Sequence, residues 1–121
     1  MPDDLWPENI AESNLVTPVT ILKEQAARLG EKTQQLVTGE VVTTGFGTMF
    51  VHTFNILAPT LAYKYELFRV THGVAFYPLT VKFVGDISIQ SEDEFKQKLK
   101  DIFASQRTLN IVHSILAQVR S

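Results

Sequence analysis

Between Leu36 and Val84 the chain is rich in Val, Ile, Phe, Tyr and Thr, and it is broken three times, each time briefly, by residues that turn a backbone. Gly45-Phe46-Gly47, Ala58-Pro59-Thr60 and His72-Gly73 are these breaks. A strand that must reverse within two or three residues can pair only with the strand it has just left, and only antiparallel. The spacing therefore predicts four strands, at about 37–44, 48–57, 61–71 and 74–84, joined as a meander. Pro78 has no N–H to give a ladder, which places the last strand at an edge.

The flanks have a different period. Thr17-Pro18 is a helix start, with Thr as cap and Pro at the first helical position. Val19, Leu22, Ala26, Leu29, Thr33 and Leu36 follow at three- and four-residue steps, predicting a helix to about Gln35. Gly30 either ends that helix or lets something pack closely. After Gly85-Asp86 the helical period returns. Ser91 with Glu94 forms a capping box before Phe95, Leu99, Ile102 and Phe103. Ser105 begins a second cap, and Leu109, Val112, Leu116 and Val119 form another stripe, so two consecutive helices are expected.

Together these elements give an α+β fold: an N-terminal helix, a four-stranded antiparallel meander, and two C-terminal helices packed on one face of the sheet. Residues 1–121 read as one domain, close to the commonest domain size. Residues 1–16 are an irregular acidic leader, with Asp3, Asp4, Glu8 and Glu12 and no Lys or Arg. A solvated leader is the expectation and a docking arm the second reading, with Leu5, Trp6 and Ile10 able to pin the segment onto the body.

Counting from the turns sets a register. Val42 would face Phe50 and Glu40 would face His52; Phe50 would face Phe68 and His52 would face Glu66. One sheet face then carries Val42, Phe50, Phe68 and Tyr77, with Ile56, Ala62, Val81 and Phe83, and takes the helices. The other carries Thr43, Thr53, Asn55, Tyr63, Tyr65, Arg69, Thr80 and Lys82, with Val41, Val51 and Leu67. Glu40, His52 and Glu66 line up as a carboxylate–imidazole–carboxylate row on the helix-covered face. Such a row would raise the imidazole pKa and suit it to acid–base work. A solvated patch past the end of the helix layer, or a satisfied polar network, is the stronger reading of the row, and a one-residue bulge would send the three side chains to opposite faces. The three are weak candidates for catalysis and no others present themselves.

Other chemistry finds little footing. With no cysteine there is no disulfide and no thiolate, and the net charge of −2 does not advertise a nucleic-acid partner. His52, His72 and His113 form no close metal-binding pair, so no metal or cofactor is assigned. Turn geometry accounts for His72. Gly45-Phe46-Gly47 lacks the third glycine and the helix of a dinucleotide fingerprint. Tyr63 and Tyr65 beside Arg69 and Lys82 resemble a single-strand binding surface only loosely. No secretory signal or bilayer-spanning run is visible, so a cytoplasmic protein without membrane contact is expected. The function expected is that of a small non-catalytic interaction protein (adaptor, inhibitor or assembly factor) with a protein partner or self-association, as a homodimer. The alternative is a small enzyme or ligand-binding domain with a pocket between sheet and helices, using Glu40, His52 and Glu66.

Overall fold

The computed structural model describes residues 3–121. In chain order it runs α1 (Pro18–Lys32), β1 (Thr38–Phe46), β2 (Met49–Ala58), a short 3-10 turn (Pro59–Leu61), β3 (Tyr63–His72), β4 (Leu79–Lys82), β5 (Asp86–Ile89), α2 (Glu92–Ala104) and α3 (Gln106–Val119). The strands form one antiparallel meander in the order β1-β2-β3-β4-β5. The helix caps are those expected. Thr17 Oγ1 accepts the Thr20 N–H at 3.1 Å, Ser91 Oγ the Glu94 N–H at 3.2 Å, and Ser105 Oγ the Thr108 N–H at 3.3 Å.

α1 ends at Lys32, short of Gln35, because Thr33 turns inward. Its hydroxyl donates to the Val37 carbonyl at 2.7 Å and accepts the Val37 N–H at 3.2 Å. α1 runs on past Gly30, so of its two expected purposes Gly30 serves the close approach. The Gln35 N–H bonds to its carbonyl at 2.8 Å, and the Gln35 side chain lies where a Cβ on Gly30 would stand.

A fifth strand is the first departure from the expected fold. Residues 74–84 are not one strand. Residues 73–78 form a loop with a cis Tyr77-Pro78 peptide, β4 covers only Leu79–Lys82, and the chain turns at Gly85 (φ +106°) into β5. Pro78 precedes its strand and removes no ladder donor, so β4 lies inside the sheet between β3 and β5. Ile87 and Ile89 alternate with Asp86 and Ser88 at strand period, a pattern the helical run behind them obscures.

The register is the second departure. The first hairpin turns at Gly47-Thr48, with the positive φ (+60°) on Gly47, and Gly45 and Phe46 stay in the ladder. Val41 therefore faces Phe54, Thr43 faces His52 and Glu40 faces Asn55. The shift is odd, so β1 turns over relative to expectation. Val42 goes to the open face, while Val41 and Thr43 join the helix side. In the second hairpin Phe54 faces Phe68, and a bulge then leaves Leu67 without a partner, so that Asn55 faces Glu66. The bulge buries Leu67 and turns Tyr65 to the core side, away from the polar face where Tyr63 and Tyr65 were expected together. Phe50 lies at the sheet's end opposite His72 and is half exposed, so the row Val42–Phe50–Phe68–Tyr77 does not form.

All three helices cover the same sheet face around one core, in which Phe54 and Phe68 stack at 5.1 Å and Phe103 leans on both. α1 approaches β1 closely at Gly39, where an added Cβ would stand 2.6 Å from both Cα and Cβ of Ala26. Helix backbone cannot yield there. Gly39→Ala is expected to lower stability by about 1–3 kcal/mol. Gly45→Ala, in the same strand with nothing within 4 Å of its Cβ, should stay within about 0.5 kcal/mol of wild type. Equal denaturation midpoints for the two variants would refute the close α1–β1 contact.

Candidate functional site

The register separates the three candidate residues. Glu40 stands on the open sheet face, where its Oε1 accepts from Asn55 Nδ2 at 3.2 Å and pairs with Lys64 Nζ at 3.2 Å. The Asn55 hydrogen bond and then Lys64 hold its carboxyl below the usual carboxylate range. Glu66 is also on the open face, paired at 2.9 Å with Arg69. His52 points the other way, into the helix-covered side, and is buried. One parity change in the first hairpin displaced Glu40 from it, and the bulge at Leu67 displaced Glu66. The carboxylate–imidazole–carboxylate row is not assembled.

His52 has a different partner, which the turn-based reading of His72 missed. His72 is the last residue of β3, is buried, and lies on the same face two positions beyond Val70. The two Nε2 atoms are 2.7 Å apart. His52 Nδ1 meets the Thr43 hydroxyl at 2.8 Å and His72 Nδ1 meets the Gly73 carbonyl at 2.6 Å. A carbonyl can only accept, so His72 Nδ1 carries a proton and its neutral Nε2 must accept. His52 Nε2–H is then the donor between the rings, and His52 Nδ1 accepts from Thr43. Every ring nitrogen is satisfied with both imidazoles neutral. Burial first, then the His72 and Lys23 charges, push the His52 pKa down to about 4. The pair is a closed network that holds the ends of β1, β2 and β3 together. Alternation along β2 and β3 was the sequence signal for it, available only once the register was right.

The surface with room for an occupant lies elsewhere. α1 and the α2–α3 pair cover the sheet side by side without closing over it, leaving a groove in two adjoining parts that share Gln25 and Phe103. One part, of about 500 Å3, lies between Ile21 and Glu24 of α1 and Lys96, Leu99 and Lys100 of α2. The other, of about 260 Å3, has Phe54, Ile56 and Leu67 as its floor, with Arg28 and Lys32 on one wall and Leu109 and Val112 on the other. Two cationic side chains thus stand beside the apolar floor of the smaller part, and two more, with the carboxylate of Glu24, line the larger part. Neither His52 nor His72 lines it. Only the placement of α1 beside α2 and α3 brings these cations to one opening.

The leader is the other exposed apolar feature. Leu5 is 90% and Trp6 70% exposed, and Ile10, Leu15 and Val16 are exposed as well, so these side chains do not pin the segment onto the body. Local hydrogen bonds give it a turn, from the Ile10 N–H to the Pro7 carbonyl (3.1 Å) and from the Glu12 N–H to the Asn9 carbonyl (3.0 Å). The part of the leader at residues 1 and 2 lies outside the described residues.

Tyr77 carries a buried hydroxyl with no hydrogen-bond partner among the described residues, and burial, then Glu92, push its pKa up to about 12. Those residues hold no cluster of three or more side chains suited to a metal ion, and no helix among them is long and apolar enough to cross a membrane. The chain matches no family model, no curated protein and no solved structure.

Proposed function

We propose that the protein is a non-catalytic interaction module whose groove between α1 and α2–α3 receives an acidic protein segment anchored by large apolar side chains. The observation that carries this reading is the groove's composition: aromatic and aliphatic residues at the floor, with Arg28, Lys32, Lys96 and Lys100 around it. An apolar floor rewards burial of aromatic or branched side chains, while a cationic rim selects the sign of the charge beside them. Of the polar groups first considered for chemistry, His52 is closed into its pair with His72, and Glu40 and Glu66 are ion-paired on the opposite face.

The test is a titration of the full chain, followed by backbone amide resonances. The probe is a synthetic peptide bearing two aromatic and four acidic residues, in a sequence unrelated to this chain. Shifts are expected around Leu29, Leu99, Phe103 and Val112, and should be absent with a peptide whose acids are replaced by lysines. Equal response to both peptides, or shifts confined to the open sheet face, would overturn the proposal.

A further inference from the structure

We infer that the segment the groove receives is the acidic arm, residues 3–16, of a second copy of this chain, so that two copies exchange arms in a reciprocal homodimer. This rests on the groove reading above and names its partner.

Two unpartnered surfaces on one chain match each other. The arm carries Asp3, Asp4, Glu8 and Glu12 with no cation, and displays Leu5, Trp6 and Ile10 to solvent. The groove presents Arg28 and Lys32 over Phe54, Ile56 and Leu67 in one part, and Lys96 and Lys100 with Glu24 beside Ile21 and Leu99 in the adjoining part. Arg28 is paired with Glu31 and Lys96 with Glu92, both at exposed sites, whereas Lys32 and Lys100 enter no ion pair among the described residues. An arm with this charge and these side chains gains from the groove both burial of a Trp and neutralisation of unpaired lysines.

The exposure of the arm's apolar side chains favours exchange over self-docking. The arm joins α1 at Thr17, which is extended (φ −92°, ψ 155°) and caps the helix. The groove lies alongside α1 from Ile21 to Lys32. To enter it, the arm of the same chain would have to double back along its own helix, and the structure instead leaves Leu5, Trp6 and Ile10 exposed. Exchange between two copies uses each arm and each groove once and closes as a two-fold dimer.

Trp6 is the sole tryptophan, so its emission reports the arm alone. Sedimentation and Trp6 fluorescence of the full chain would be read together from about 1 µM to about 1 mM. The expected result is a mass rising from 13.6 kDa toward twice that value, with Trp6 emission moving to the blue over the same concentrations. Lys32→Glu with Lys100→Glu, and separately Trp6→Ala, should each weaken association at least about tenfold. All three positions are exposed, so the fold is retained and circular dichroism checks it. Three results would overturn the inference: a monomer with solvent-exposed Trp6 throughout, blue-shifted emission without a mass increase (the arm in its own groove), or a dimer insensitive to these changes. If the acidic-peptide titration still succeeds, only the identity of the partner fails. If it fails as well, the groove reading falls.

Discussion

Phe54→Ala is expected to destabilise the protein by about 3–5 kcal/mol, and Phe50→Ala by less than about 1 kcal/mol. Phe54 is 1% exposed. Its ring stacks on Phe68 at 5.1 Å with 8° between planes, and meets Phe103 at 5.5 Å. Truncation removes the transfer free energy of a whole benzyl group and leaves a void that neighbouring strands and α2 cannot collapse into. It also removes the aromatic pairing, which adds to area burial. Phe50 is 43% exposed at the sheet's end, with its ring centroid 5.5 Å from that of His72. The pair of variants tests the register directly. Had β2 and β3 paired through the turns first counted, Phe50 would be the central residue beside Phe68 and the costs would be reversed. Urea midpoints with unchanged slopes are the measurement. A costly Phe50→Ala with a mild Phe54→Ala would refute the observed pairing. Because Phe54 is also part of the groove floor, its loss should weaken binding of the acidic probe peptide, while Phe50→Ala leaves that binding intact.

Which residues form helices and strands was largely legible, because caps and periodicity are local. Thr17, Ser91 and Ser105 cap the helices they were expected to cap, and the three helices share one face of an antiparallel sheet. What failed was parity. A hairpin tip is fixed by which glycine holds the positive φ, and Gly47 holds it, not the centre of Gly45-Phe46-Gly47. A bulge has no composition of its own: Leu67 resembles any strand residue. Each of these local details reverses a face. The reading of Glu40, His52 and Glu66 as one row required both to be right, and the structure changes both. The fifth strand was hidden for a related reason, since four residues ahead of a capping box supply too few periods to show as a strand.

The groove was illegible for a different cause. α1 and the α2–α3 pair are separated in sequence by the entire sheet, and nothing local to Arg28, Lys32, Lys96 or Lys100 reports that they surround one opening. Each helix was readable as amphipathic, but the distance between two helices on a sheet depends on what lies beneath them. Gly39 admits α1 close to β1 at one side, and Phe103 fills the middle, where it forms part of both halves of the groove. The acidic arm, by contrast, was visible from the first sixteen residues. What the structure adds is that its apolar side chains face solvent and not the body, as in the first reading of a solvated leader.

Acid should unfold this protein earlier than its carboxylates alone would require. His52 in the unfolded chain takes up a proton near pH 6.5, whereas in the folded chain it does so only at about 4. Between these values the unfolded state binds more protons at this site, so the contribution of His52 to stability is fully present above pH 6.5 and declines as the pH falls toward 4. At about 1.4 kcal/mol per pH unit the loss amounts to up to about 3 kcal/mol. Glu40, whose folded pKa lies below its ordinary 4.5, acts in the same direction at lower pH: its contribution is present above 4.5 and is lost as the pH falls through the folded value. The two are separable by substitution. His52→Gln keeps an amide donor toward His72 and removes the titration, so its urea midpoint should change less than that of wild type between pH 6.5 and 4. Glu40→Gln should leave that interval unchanged and flatten the curve only below it. Parallel loss in wild type and His52→Gln would place the acid sensitivity outside the histidine pair. It would also remove the physical reason for treating the chain from Thr43 through His52 and His72 to Gly73 as a neutral clamp on the ends of β1, β2 and β3.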